Sequence, residues 1–369
     1  MIGHTLGIYF TKQLLKNILM IFLLILILIV AVDMTDQARR MSRYPDASVS
    51  DFLMISLAKA PGFAERILPF ATLFGCIATL LVLNKKMELV VARAAGVSVW
   101  QFLWPALMTA IVLGLFSMMV YNPFSLHIKE LGKNIEARVY GGKGNNEGDR
   151  ASNLWLRQYG EKGDLIIHAA ISRNEGRMLN GIVAHRFDPN GRHVERIDAA
   201  SASYKEGRSN SSAQWSFKDA SVSIAGESPF HMKEYRINTN LTPDQLSNAS
   251  TSASEVSFWR LPERIRAAEL AGNISNSLQM QFHSLLARPL LFVAMVLIAA
   301  TVSLKFVRFG QNSKVILTGI LAGFVLYVIS ELVVGFGKNG IVPPWVAAWS
   351  PATVATLIGL TIILHQEDG

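Results

Sequence analysis

The long apolar runs of this sequence stand at its two ends, and a polar stretch of alternating residues separates them. A bilayer core of about 30 Å takes roughly 20 helical residues. Six stretches approach that length: Ile18 to Val32, Ile67 to Leu83, a span within the uncharged run Ala94 to Leu126, Pro289 to Leu304, Val315 to Phe336 and Trp345 to Leu364. With 17% of the 369 residues charged and 51% hydrophobic, the balance is too apolar for an ordinary soluble protein. The reading is an α-helical membrane protein with six transmembrane helices, three plus three, and an inserted all-β domain. Residues 1–140 form the first block, 141–250 the β domain and 251–369 the second block. A helical stretch, Ser50 to Ala60, precedes span two, and Pro61 and Pro69 predict a kink there.

Basic residues in short loops set the orientation. Lys12 and Lys16 precede span one, Lys85, Lys86 and Arg93 follow span two, and Lys305, Arg308 and Lys314 lie between spans four and five. The loop between spans five and six carries Lys338. These place both termini in the cytoplasm and the β domain on the opposite side. Arg39, Arg40 and Arg43 after span one oppose the rule and call for a function. The formal charge of +8 is spread beside apolar spans, where lipid headgroups account for it, so nucleic acid is set aside. The one cysteine, Cys76, lies within a span, so the β domain must hold itself together by its core.

In the middle, LWLRQY, DLIIHAAIS, GIVAHRF, VERIDAASASY, QWSFKDASVSI and EYRINTNL alternate with period two, with turn signals such as Asp188-Pro189-Asn190-Gly191 between them. They predict an antiparallel sandwich or barrel. Gly141 to Arg150 reads as an entry linker and Ser247 to Ser254 as an exit, before an amphipathic helix Leu261 to Leu270. His168, His185, His193 and His231 show no metal-ligand spacing.

No phosphate-binding loop occurs, because GGKGNN follows nothing strand-like and has no Ser or Thr after its lysine. Nucleotide hydrolysis therefore belongs to another chain, and no nucleophile–base pair argues for an enzyme. Charges at or in the membrane are functional candidates by default. Glu331 lies late in span five, where an interhelical hydrogen bond and a role in substrate passage stand as alternatives. Arg288, opening span four, reads as an interfacial anchor. Arg39, Arg40 and Arg43, with Lys129, Lys133 and Arg138 after span three, offer guanidinium forks and ammonium charges suited to an anionic lipid headgroup. Solvated helix ends are the alternative.

The segment NKKMELVVARAAGVS, residues 84–98, predicts a short helix, Met87 to Ala95, on the cytoplasmic face between two spans. Glu88, Val91, Ala92 and Ala95 fall at i, i+3, i+4 and i+7, a small-residue face with one acid. Such a face suits docking into a groove. A partner that moves this helix moves both spans.

The stretch Met87-Glu-Leu-Val-Val-Ala-Arg-Ala-Ala-Gly-Val-Ser98, then Tyr140-Gly141-Gly142, then Asn240-Leu-Thr-Pro-Asp-Gln-Leu246, in a three-plus-three layout, resembles the LptF/LptG permeases of the lipopolysaccharide exporter. The likeness covers essentially the whole chain and is nearer the LptG branch. It implies a β-jellyroll-like periplasmic domain, an inner-membrane location, and a heterodimer with an LptF-type permease. It implies an LptB-type ATPase dimer that binds ATP and Mg, no cofactor in this chain, and an LptC-type bridge partner. Lipopolysaccharide would enter from the outer leaflet between span one of one permease and span five of the other. The resemblance makes residues 84–98 the coupling helix, with Glu88, Lys85, Val91, Ala92, Arg93, Ala95 and Gly96 toward the ATPase. Arg39 and Arg40 match a basic pair after Asp36-Gln37, while Lys129, Lys133 and Arg138 stand in by chemistry. A lipoprotein-releasing permease and a membrane sensor are the alternatives. The first usually inserts its domain after span one, and the second needs an output domain.

Overall fold

The computed structural model describes the chain apart from residues 1–3, 42–47, 141–153, 161–162, 175, 207–212, 225, 227, 242, 244–245, 247–252, 271–274, 305–311 and 369. The chain divides into two compact units, one of Met1–Val139, Ser257–Pro262 and Asn276–Gly369, the other of Tyr140–Val256 and Glu263–Ser275. Arg43, Lys305, Arg308, the entry linker and most of the exit linker lie outside the described residues.

The first unit is helical. Before the sheet come α1 (His4–Met41), α2 (Val49–Lys85), α3 (Glu88–Ala94), α4 (Val99–Phe116), a π-helical turn (Ser117–Tyr121) and α5 (Asn122–Tyr140). After it come a 3-10 turn (Phe258–Arg260), α6 (Leu261–Leu270), most of which belongs to the second unit, and then α7 (Asn276–Leu286), α8 (Arg288–Ser303), α9 (Asn312–Lys338) and α10 (Pro344–Asp368) of the first.

Among the described residues five helical stretches are long and apolar enough to cross a membrane: Gly7–Arg39, Val49–Lys85, Val99–Glu136, Ile316–Lys338 and Pro344–Gln366. The stretch read as span four is different, because α7 and α8 meet at a 50° bend and make a sixth crossing only when taken together. Length is the reason: the 16 residues of α8 span about 24 Å, short of the hydrocarbon thickness. The helix expected before span two is continuous with it. Ser48 caps α2 by accepting from the Asp51 amide, while Asp51 accepts from the Ser48 amide, and Pro61 and Pro69 lie inside the one 37-residue helix.

Burial follows the pattern of side chains. α8 is buried through Phe292, Ala294, Met295, Val296, Leu297, Ala299 and Ala300, apolar all round, and packs against α2, α4 and α10. Gly114 of α4 lies against the Pro289 backbone of α8, an approach that a Cβ would block. α1 buries Phe10, Leu14 and Ile18, yet Leu24 and Ile27 are exposed at 65% and 68%, as they are where lipid is the solvent.

The second unit holds β1 (Leu154–Gly160), β2 (Gly163–Arg173), β3 (Met178–Phe187), β4 (His193–Lys205), β5 (Gln214–Ile224) and β6 (Phe230–Asn238). All six alternating stretches are strands, and they form one antiparallel sheet in sequence order. Among the described residues every strand pairs with its successor, a meander without the crossed order of Greek keys. The sheet also curls, since Gln158 of β1 donates to the Asn238 carbonyl at the end of β6.

A crease runs across this sheet. The ladders pass over the row Ala170, Gly181, Ala200, Asp219 and Lys233, jumping for example from Ala169↔Ile182 to Ile171↔Asn180. At this row the buried positions slip by one in three strands: Leu179 then Ile182, Ala199 then Ala202, Phe217 then Ala220. Gly181 (φ 62°) and Asp219 (φ 51°) adopt left-handed backbone there. Leu241 and Leu246 of the Asn240–Leu246 motif complete the core around Trp215 and Phe217, with the Tyr204 hydroxyl donating to the Leu241 carbonyl.

Candidate functional site

At the end of α2 the chain breaks and restarts. Met87 takes φ 60°, a strained conformation for a residue with a side chain, between the last residue of α2 and Glu88, the first of α3. α3 ends where Gly96 adopts φ 82° and the Val97 amide reaches back to the Ala92 carbonyl. Leu89 anchors the short helix in the core, while Val91, at 66% exposure, stands open with Ala94, Ala95 and Gly96. Ala92 is half-buried over a small apolar cavity lined with Leu89, Val97, Val99, Phe102 and Leu304. Glu88 is half-buried; it accepts from the Tyr9 hydroxyl at 3.3 Å and lies 3.9 Å from Lys86. Lys85 closes α2 rather than sitting on α3 and is exposed. Arg93 is on α3; its side chain lies outside the described part.

The opposite end of α2 gathers the basic residues. Ser56 of α2 donates to Asp33 of α1 at 2.7 Å, and Lys59 pairs with Glu136 of α5 at 3.2 Å. These two contacts are three residues apart on α2, so the C-terminal parts of α1 and α5 flank it at one level. Arg39 and Lys133 are exposed and Lys129 is half-buried on those helices. Arg40 and Arg138 lie on them too, with side chains outside the described part. From Lys85 to Lys59 the rise along α2 is about 39 Å, more than a hydrocarbon core.

Arg288 is no solitary interfacial anchor. It donates to Glu65 of α2 at 2.5 Å and to the Ser117 hydroxyl at 3.2 Å, with its side chain 21% and that of Glu65 12% exposed. A part-buried arginine favours a charged partner, and Glu65 sets its place. Asn122 donates to the same Glu65 oxygen at 2.8 Å, and its own carbonyl oxygen accepts from the Phe258 amide at 3.1 Å. Glu331 is exposed on the apolar face of α9, among Leu332, Val328 and Phe324. Sequence reading passed over Tyr9, Lys59, Glu65 and Asn122. One signal was available for Glu65, an acid between Pro61 and Pro69 beside an apolar run.

In the sheet, His185 and His193 bring Nδ1 and Nε2 within 3.0 Å across the β3–β4 hairpin. Desolvation first, then the neighbouring His193 and Arg196, lowers the His185 pKa against an opposing pull from Asp198. Glu195 is buried on the core face but paired, with Arg186 at 3.2 Å and the Tyr235 hydroxyl at 2.7 Å. Glu234 is held down to about 2 by hydrogen bonds from Arg236 and Ser216.

Among the described residues, five long apolar helices and a bent helix pair, with an antiparallel sheet inserted between the third of these helices and the bent pair, define a multi-span membrane protein with an inserted β domain. The family model for the lipopolysaccharide export system permease LptF/LptG matches residues 8–365, and the chain belongs to that family. The lipopolysaccharide export system permease protein LptG of Escherichia coli (strain K12) is 24% identical over 338 residues, 85% of each chain. The LptG protein of Haemophilus influenzae (strain Rd) is 23% identical over 276 residues, 74% of each.

Proposed function

We propose that this chain is the LptG-type half of an ABC exporter that takes lipopolysaccharide from the outer leaflet of the inner membrane and passes it to a periplasmic bridge. An LptF-type permease completes the membrane dimer, an LptB-type ATPase dimer binds ATP and Mg, and an LptC-type protein receives the lipid. The chain crosses the membrane six times, α7 and α8 counting as one crossing, with both termini and α3 cytoplasmic and the sheet periplasmic.

The observation that carries this reading is α3, a short helix with Val91, Ala94 and Ala95 open to solvent, joined to a 37-residue helix that runs through the unit. Force applied to α3 reaches α2 with little slack. In this reading Glu88, Lys85, Val91, Ala92, Arg93, Ala95 and Gly96 serve the ATPase contact. At the far end Arg39, Arg40 and Arg43, with Lys129, Lys133 and Arg138, meet the phosphates of the lipid. Glu331, a charge on a lipid-facing helix, belongs to the side where the partner permease and the lipid pass.

Affinity purification of the tagged chain from its native membranes tests this. Recovery of a second permease and an ATPase, with ATP-dependent release of lipopolysaccharide, is expected. Recovery of neither would overturn it.

A further inference from the structure

The Glu65–Arg288 pair has a purpose that burial alone does not explain. A part-buried ion pair such as this is weak evidence for stability, so its worth is sought in the geometry it fixes. Here the geometry is convergent. One carboxylate oxygen, Glu65 Oε1, receives both Arg288 Nη1 of α8 and Asn122 Nδ2 at the start of α5. With its amide nitrogen committed to the carboxylate, Asn122 turns its oxygen to the Phe258 amide, an orientation that the donors and acceptors themselves dictate. Arg288 also holds Ser117, the first residue of the π-helical turn.

That turn adds a second grip on the same segment. The Asn122 amide bonds to Ser117, five residues back, and the Met119 carbonyl accepts from the Trp259 indole at 3.1 Å. Phe258 stacks on Phe282 of α7, ring centroids 5.7 Å apart. The segment Ser257–Arg260, where the chain returns from the sheet to the helical unit, is thus bonded to α5 and the π-helical turn and stacked on α7, and through Asn122 and Glu65 it is linked to α2 and α8.

α2 connects this cluster to the other end of the unit. Glu65 stands 20 residues before Lys85 on one continuous helix, about 30 Å along its axis. We propose that Glu65, Arg288 and Asn122 are positioning residues that clamp Ser257–Arg260 to α2, so that displacement of α2 at its α3 end is delivered to the segment entering from the sheet. The clamp rests on the transport reading for its driving force and on its own bonds for its geometry.

The test uses the whole complex in nanodiscs. In Asn122→Ala the Phe258 amide loses its acceptor, and its hydrogen exchange is expected to quicken about fivefold. In Asn122→Ala and Trp259→Phe, lipopolysaccharide released per ATP hydrolysed is expected to fall fivefold or more, on the scale of a coupling free energy, while ATP hydrolysis continues. Arg288→Glu alone strands two carboxylates, and the exchange Glu65→Arg with Arg288→Glu is expected to restore complex yield and release. Unchanged exchange at Phe258 overturns the clamp, as does full release per ATP in variants whose exchange has quickened. A wild-type complex that hydrolyses ATP without releasing lipopolysaccharide refutes the transport reading instead, and the exchange measurement still decides the clamp.

Discussion

Glu88 is held before any partner arrives: the Tyr9 hydroxyl donates to it and Lys86 lies 3.9 Å away. Reversing its charge sets a third ammonium beside Lys85 and Lys86 while leaving the buried anchor Leu89 in place. Glu88→Lys is therefore expected to keep complex yield and lose lipopolysaccharide release per ATP, with Glu88→Ala milder. Growth as sole copy at the wild-type rate would refute it. In the sheet, the depressed His185 pKa carries its own pH dependence. The folded hairpin binds fewer protons than the unfolded chain below the ordinary value of 6.5, so stability is complete above that value and is lost as pH falls through it toward the folded pKa. The protection of β3 and β4 amides, taken relative to their intrinsic exchange rates at each pH, is expected to fall between pH 7 and 5, and His185→Gln to flatten that response. At this scale the sequence showed Glu88 on a short helix, because the spacing of its neighbours is local. It left Arg288 an anchor, because its partner is 223 residues away.

Helix and strand identity came from periodicity. The six alternating stretches became the six strands, and five of the six apolar runs became long helices, since both patterns report which solvent each face meets. The crease was less legible. Leu179 and Ile182, three apart, break the period-two pattern, but the row becomes visible only when five strands lie side by side. Gly181 anchors it with φ 62° and with space for a Cβ only 3.1 Å from the Ala170 Cβ. Gly181→Val is expected to destabilise the sheet by about 1–3 kcal/mol, because a β-branched residue is poorly suited to left-handed backbone. Ala200→Val on the same row, without a positive φ, is the control. Thermal melts of the purified complex followed by exchange in β2 to β4 distinguish them, and equal losses would deny the backbone explanation.

Across the whole molecule, α2 organises the charges at both of its ends. Ser56 and Lys59 hold α1 and α5 through Asp33 and Glu136, which brings Arg39 and Lys133 to one end, while α3 occupies the other. Arg39→Glu with Arg40→Glu is accordingly expected to reduce photocrosslinking of lipopolysaccharide to probes near the end of α1, with assembly unchanged; an undiminished crosslink would leave those arginines as anchors. By itself the sequence determined the membrane class, the long apolar spans, the strands of the middle and the family, because hydropathy and short-range periodicity need no partner to be read. Tertiary structure decided that α8 lies at the centre, that α7 and α8 meet at a bend, that the sheet is a creased meander, and that Glu65 serves Arg288 and Asn122. Those outcomes depend on how α2, α4 and α8 pack and how strands align, which are distances between residues far apart in the chain.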